Sequence, residues 1–184
     1  MPLPTLPLLL AGILALTVGY AEVRPPSDQA AKAAAAPKPC AAPEHRQFDF
    51  WLGEWTVTDP SGTQAGVNRI TRILGGCALR EEWTGASGLT GTSLNVYDAI
   101  RRRWHQTWVD DKGNVLLLEG TFRGGRMVLE GDAPAEKGTL ARQRITWSPL
   151  AGGRVRQLWE SSTDSGKTWK TEFDGTYSKR KTSP

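Results

Sequence analysis

Four polar residues occupy positions where a plain hydrophobic core would place apolar ones: Glu81, Gln106, Gln143 and Gln157. Each lies in a segment of period two, on the same predicted face as large apolar residues. A buried amide or carboxylate without a partner costs roughly 1–3 kcal/mol. Several on one interior face indicate the polar end of a ligand cavity, enclosed water, or mutual pairing near the ends of the fold. The apolar walls of such a cavity would be Trp83, Trp108, Trp147 and Trp159.

Other residue types that do chemistry give little support for catalysis or metal binding. Two histidines and two cysteines are too few for a His/Cys metal centre. His105 is predicted to face outward, and no Ser-His-Asp spacing or nucleophile-elbow motif accompanies it. We therefore expect no catalytic residue, no metal and no cofactor. A general base at Glu81 or His105, in an enzyme of unknown reaction, is the least favoured hypothesis.

The segment from Ser162 to Trp169 matches the Asp-box pattern, Ser-x-Asp-x-Gly-x-Thr-Trp, of sialidases and related propellers. In this pattern Asp and Ser bond the backbone of a hairpin turn, and Trp packs beneath it. A propeller would need repeated copies, and this sequence has one. The motif therefore predicts a structural turn rather than glycosidase activity.

Strands must position these side chains. From Glu54 onward the pattern has a period of two, and Gly, Pro, Asp and Ser cluster between the segments as turn signals. A short helix over His45–Gly53 precedes the strands. The predicted strands are Glu54–Thr58, Val67–Leu74, Ala78–Thr84, Thr92–Asp98, Arg103–Asp110, Asn114–Phe122, Arg126–Gly131, Leu140–Ser148, Arg154–Ser161 and Trp169–Tyr177.

Ten strands joined by short loops predict an all-β fold, an antiparallel up-and-down barrel, because closure removes exposed sheet edges. A two-layer sandwich is the alternative. The turn at residues 151–152 is predicted to set Arg142 opposite Glu160 and Gln143 opposite Trp159. The predicted inward apolar residues are Leu79, Trp83, Leu94, Val96, Trp104, Trp108, Leu116, Leu118, Phe122, Met127, Leu129, Ile145, Trp147, Val155, Trp159, Phe173 and Tyr177.

The two ends of the sequence differ from this pattern. Residues 1–21 contain an uncharged apolar stretch followed by small residues, which predicts a signal peptide. Its length of about 13 apolar residues is less than the roughly 20 of a spanning helix. Residues 22–43 are an Ala/Pro-rich linker, residues 44–178 the barrel domain, and residues 179–184 a basic tail. The net charge of +4 comes from the ends, which argues against a nucleic-acid partner.

Cys40 and Cys77 are the only cysteines in the sequence. In an exported protein, two cysteines most simply form one disulfide. They lack the Cys-x-x-Cys spacing of a redox-active pair. The sequence therefore predicts a structural disulfide and an exported, periplasmic or secreted, protein with no membrane span after signal removal.

The segment Phe48–Trp55, Phe-Asp-Phe-Trp-Leu-Gly-Glu-Trp, resembles the opening signature of a bacterial family of uncharacterised exported proteins with a calycin-like barrel. Stretches at residues 76–77, 82–83, 94–98, 104–108 and 155–160 agree with it, so the resemblance covers about residues 44–178. It implies a fold related to lipocalins, fatty-acid-binding proteins and nitrobindins, and no established activity. Nitrobindin-like barrels bind haem through a histidine late in the chain, and no histidine follows His105 here.

The sequence favours a barrel that binds a small hydrophobic or amphipathic ligand between tryptophans, with the inward polar residues orienting its polar end. The alternative is a barrel filled by its own side chains, acting as a structural or protein-interaction module. The sequence indicates neither the identity of the ligand nor an oligomeric state.

Overall fold

The sheet closes on itself between its first and last strands. A computed structural model describes residues 39–135 and 138–180. Each strand pairs in antiparallel fashion with its neighbours in chain order, and the last strand pairs with the first. The result is a closed barrel, which confirms the predicted fold class. The strands are β1 (Gly53–Thr58), β2 (Gln64–Ile73), β3 (Ala78–Gly85), β4 (Thr90–Asp98), β5 (Arg103–Asp110), β6 (Val115–Arg123), β7 (Arg126–Pro134), β8 (Leu140–Leu150), β9 (Arg154–Ser162) and β10 (Lys170–Lys179).

Alternation along each strand separates the interior from the surface, as β5 illustrates. Trp104 and Gln106 are buried, whereas Arg103 is exposed. Successive side chains of a strand point to opposite faces, so one face of every strand contributes to a single core. That core contains large residues such as Leu118, Met127 and Leu129.

A short helical segment covers one end of the barrel. It consists of two 3-10 turns, Pro43–Arg46 and Asp49–Trp51, where the sequence predicts one short helix. The Phe48 ring stacks on Trp51 at 4.9 Å and meets Trp147 edge-on at 5.1 Å, measured between ring centroids. We call this end, where β1, β3, β5, β7 and β9 begin, the closed end.

A disulfide joins the start of the described chain to the turn between β2 and β3. Cys40 and Cys77 are bonded, as predicted. The Arg46 guanidinium donates hydrogen bonds to the carbonyl oxygens of Cys40, at 3.0 Å, and Gly76, which holds the same two segments together. The predicted signal peptide, residues 22–38 of the linker and residues 181–184 of the tail lie outside the described residues. Within the described residues, the structure contains no helix of the length and apolarity needed to cross a membrane.

The inward face predicted for β4 is wrong. Leu94 is 50% exposed, and Val96 lies on the same outer side, while Ser93 and Asn95 are buried. The register explains the difference, because Ser93 pairs with the inward-facing Glu81 of β3. The prediction follows the apolar character of Leu94 and Val96, whereas pairing with the neighbouring strands decides which face of β4 points inward.

The predicted register between β8 and β9 is wrong by two residues. The predicted pairs are those of a turn centred on residue 151, whereas the observed turn, Ala151–Gly153, is centred on Gly152, so Arg144 rather than Arg142 pairs with Glu160. Their side chains form an ion pair at 2.9 Å. Arg142 bonds Glu130 of β7 at 2.8 Å instead.

Gln143 consequently lies opposite Ser161 rather than Trp159. The side chains of Gln143 and Trp159 nevertheless meet diagonally across the two strands. Trp159 Nε1 donates a hydrogen bond to Gln143 Oε1 at 2.7 Å.

The Asp-box segment forms the turn between β9 and β10. The Asp164 carboxylate accepts hydrogen bonds from the Thr168 hydroxyl at 2.6 Å and from the backbone N–H of Lys167 at 3.0 Å. These bonds, with the Thr168 contacts the largest cause, lower the pKa of Asp164 to about 2. The Arg144 guanidinium lies over the Trp169 ring, 3.8 Å from the ring centroid, in a cation–π contact. The segment therefore has the structural role that the sequence predicts.

Replacing Cys77 with serine is expected to lower the free energy of unfolding by about 3–4 kcal/mol, because the bond constrains 37 residues of the unfolded chain. Urea denaturation followed by tryptophan fluorescence measures the change. Cys40→Ser and the double variant should lose the same amount, since all three remove one bond. A double-variant loss equal to the sum of the single losses would contradict this account.

Candidate ligand-binding site

The centre of the barrel holds a carboxylate bound only by neutral donors. Strand pairing brings Asn68 of β2 and Ser93 of β4 to either side of Glu81 on β3. Asn68 Nδ2 donates to Glu81 Oε1 at 2.7 Å, and the Ser93 hydroxyl donates to Oε2 at 2.6 Å. Glu81 is only 4% exposed. Burial raises the pKa of Glu81 from its usual 4.5 to about 6, and the two hydrogen bonds limit that rise.

Hydrogen bonds extend from Ser93 toward β5. Asn95 Nδ2 donates to the Ser93 hydroxyl oxygen at 2.9 Å. Gln106 Nε2 in turn donates to Asn95 Oδ1 at 2.9 Å. Ser93, Asn95 and Gln106 are each almost fully buried. Polar groups of three consecutive strands therefore satisfy one another inside the barrel.

A second branch runs from Asn68 across the barrel to β8. Asn68 Nδ2 also donates to the Tyr177 hydroxyl at 3.3 Å, and that hydroxyl donates to Gln157 Oε1. The same amide oxygen accepts from Trp147 Nε1 at 3.1 Å. Burial, followed by the charge of Glu81, raises the pKa of Tyr177 well above its usual value, so the phenol stays neutral. We call the connected side chains the polar network: Asn68, Glu81, Ser93, Asn95, Gln106, Trp147, Gln157 and Tyr177.

Two features distinguish the polar network from ordinary core pairing. Among the described residues, no Lys, Arg or His side chain makes a hydrogen bond within the polar network, so the Glu81 carboxylate has no basic partner in it. Asn68 is 2% exposed, yet its Oδ1 has no hydrogen-bond partner within the described chain. A buried carbonyl of this kind is an acceptor available to an incoming donor.

Aromatic rings line the end of the barrel opposite the closed end. Trp83, Trp108 and Trp159 are half-buried there, and Phe173 meets Trp83 edge-on at 5.9 Å between centroids. We call this the tryptophan end. Because these rings keep partial contact with solvent while facing inward, they form the accessible border of the interior.

Two glycines make room for the indoles at this end. A Cβ atom at Gly66 would lie 2.7 Å from Cη2 of Trp83, and one at Gly91 would overlap the ring of Trp108. The rings therefore lie flat against the backbone of the neighbouring strands. Their position depends on the absence of a side chain at these two residues.

The structure places all eight predicted site residues on the inner wall, but not in one group. Four are buried: Glu81, Gln106, Gln143 and Trp147. Four are half-buried: Trp83, Trp108, Gln157 and Trp159. Glu81, Gln106, Gln157 and Trp147 belong to the polar network, whereas Gln143 bonds Trp159 near the tryptophan end. Their role in binding a ligand stays a prediction.

Sequence reasoning missed Asn68, Ser93 and Asn95, which complete the polar network. A signal for the β4 residues was present in the hairpin that β4 forms with β5. Its short turn sets Tyr97 opposite the inward Trp104, which assigns Ser93 and Asn95 to the interior as well. Asn68 carries no such signal, because the sequence around it alternates only weakly.

Glu81 and His105 lie on opposite faces of the barrel wall. His105 Nε2 contacts the Thr107 hydroxyl at 2.9 Å, and Nδ1 lies 3.6 Å from the Glu119 carboxylate, both on the outer face. The two residues therefore do not form an acid–base pair.

A scan against protein-family models finds no match to this chain, and a search of curated proteins likewise finds none.

Glu81 is expected to make stability depend on pH in a defined window. Its pKa is higher in the folded chain than in the unfolded chain, so the folded state binds the proton more tightly. The free energy of unfolding should therefore fall by about 2 kcal/mol as the pH rises from 4.5 through about 6. Urea denaturation at a series of pH values measures this change.

Glu81→Gln should remove that component and leave the profile flatter between these pH values. Glu82→Gln is the matched control, because Glu82 neighbours Glu81 on β3 but lies on the outer face beside Arg80. Identical pH profiles for wild type and Glu81→Gln would contradict the assignment.

Proposed function

We propose that this chain is an exported β-barrel that binds a small, mostly apolar molecule through its tryptophan end, without catalysis. One observation carries the proposal. Half-buried indoles surround the accessible end of an interior whose centre holds a satisfied polar network with one free acceptor, Asn68 Oδ1. Ligand sites of this kind combine apolar walls with a few polar groups that fix orientation.

The apolar part of the ligand would lie against Trp83, Trp108 and Trp159. Rigid indoles provide a large contact area at low entropic cost. Gln143 already engages the N–H of Trp159, which holds that ring in place. A bound molecule would therefore meet an ordered wall rather than a set of mobile side chains.

The polar network restricts the polar end of the ligand. Glu81 lies near the centre with no basic side chain in its hydrogen bonds. A second carboxylate brought close to it would be repelled at low dielectric constant, and each would disfavour the charge of the other. The site therefore favours a neutral hydrogen-bond donor or an amine over a fatty acid.

Export is supported by the disulfide between Cys40 and Cys77, since such bonds persist mainly in oxidising compartments. The apolar stretch in residues 1–21 and the resemblance of Phe48–Trp55 to an exported family point the same way. The resemblance to calycin-like barrels also agrees with a ligand-binding role.

A filled barrel that acts as a structural or interaction module is the second candidate. The packing at the closed end favours it. Four aromatic residues are buried there and form a connected cluster: Phe48, Trp51, Trp104 and Trp147. The side chains of the protein itself therefore occupy that half of the interior. Small barrels can be filled in this way.

Three octyl compounds that differ only in the polar end test the proposed function. Octanol and octylamine should change the tryptophan emission and bind, whereas octanoate should bind at least about tenfold more weakly because Glu81 repels it. Fluorescence titration at about pH 8, above the pKa of Glu81, measures the three affinities.

Glu81→Gln should bring octanoate binding close to that of octanol, and Glu82→Gln should leave the order unchanged. If none of the three compounds binds and the emission of the tryptophans stays constant, the filled barrel is the correct description.

A further inference from the structure

We propose that the closed end of the barrel docks on an anionic lipid bilayer. This inference concerns the end opposite the proposed ligand site and does not depend on it. It rests on exposed apolar residues at turn tips, on unpaired basic residues around them, and on the separation of charge along the barrel.

Two large apolar side chains are exposed at neighbouring turns of the closed end. Ile100, in the turn between β4 and β5, is 94% exposed, and Leu74, in the turn between β2 and β3, is 74% exposed. Because β3 pairs with β4, the two turns are adjacent. Single exposed apolar residues need no explanation. Two at adjacent turn tips can enter the boundary between headgroups and acyl chains together.

Basic residues surround these tips without acidic partners. Arg102 lies two residues after Ile100, Arg123 and Arg126 border the turn between β6 and β7, and Arg154 begins β9. None of the four makes an ion pair within the described residues. Arg123 lies directly opposite Arg126, an arrangement that destabilises a sheet unless an anion lies nearby.

Acidic residues are distributed in the opposite way. Two acidic groups next to the apolar tips are neutralised, since Asp49 pairs with Arg72 at 2.5 Å and Asp98 with Arg101 at 2.8 Å, whereas Glu44 makes no ion pair within the described residues. The turns at the tryptophan end instead carry unneutralised or weakly paired carboxylates. Those carboxylates are Asp59, Asp110, Asp111 and Asp164. The field of an anionic surface therefore orients the barrel with its closed end toward the lipid.

A recess on the outer face offers a place for a lipid phosphate. It has a volume of about 560 Å³, and its walls include Arg123, Arg126 and Arg156 together with Val128 and Leu158. Arg144 and the Glu160 carboxylate also line it, paired with each other at 2.9 Å. Arg156 is held by Asp174 at 2.7 Å, which leaves Arg123 and Arg126 as the free donors. Two guanidinium groups on facing strands suit the oxygens of one phosphate.

Vesicle sedimentation of the full chain gives the first test. The chain should bind phosphatidylcholine vesicles containing about 30% phosphatidylglycerol more tightly than vesicles of phosphatidylcholine alone. Replacing Arg123 and Arg126 with glutamine should weaken binding to the anionic vesicles by about 25-fold, at about fivefold for each basic residue. The control is Lys112→Gln with Lys167→Gln, which removes the same charge from the tryptophan end and should change binding less than twofold.

A label at the turn tip gives the second test and separates docking from insertion of the apolar stretch in residues 1–21. An environment-sensitive NBD group is attached at Ile100→Cys or, as a control, at Leu117→Cys on the side of the barrel, with the Cys40–Cys77 bond kept oxidised. Anionic vesicles should shift the emission to shorter wavelength at residue 100 and not at residue 117. Vesicle binding with no shift at residue 100, or equal shifts at both residues, would overturn the proposal.

Discussion

The hydrogen-bonded ladder between β1 and β10 closes the sheet, and closure places every inward-facing side chain in one enclosed space. An open sheet could leave a polar inward residue at an edge in contact with water. In this barrel, Glu81 and Gln106 have no such exit, so they must find partners within the wall. The polar network that runs from Gln106 on β5 to Trp147 on β8 is the consequence of that constraint.

The sequence was sufficient for the strands because turn residues and period two occur together in nearly every segment. It was also sufficient for the inward position of all eight candidate site residues, since each shares its face with bulky apolar neighbours. It fails at β4, where the more apolar of the two faces points outward and the polar one inward. There Leu94 and Val96 face outward, and the pairing with β3 and β5 decides the orientation.

The partners inside the site were harder to predict than the site residues themselves. The turn between β8 and β9 is centred on Gly152, one residue later than the predicted pairs require, so each residue of β9 pairs two positions further along β8 than predicted. With this register, Gln157 bonds Trp147 and Gln143 bonds Trp159. Turn length fixes register, and a run such as Ala151–Gly153 permits more than one turn geometry.

Glu81 has an energetic consequence that distinguishes it from the rest of the core. A buried carboxylate with neutral donors alone is less stable than an apolar residue of similar volume would be at the same place. Its neighbours Asn68 and Ser93 reduce that penalty without removing it, as its raised pKa shows. Folding alone therefore does not account for this residue, and the proposed selection among ligands would give it a role. The closed end needs no such explanation, because its rings fill their space and its charges lie outside, facing any surface that carries the opposite charge.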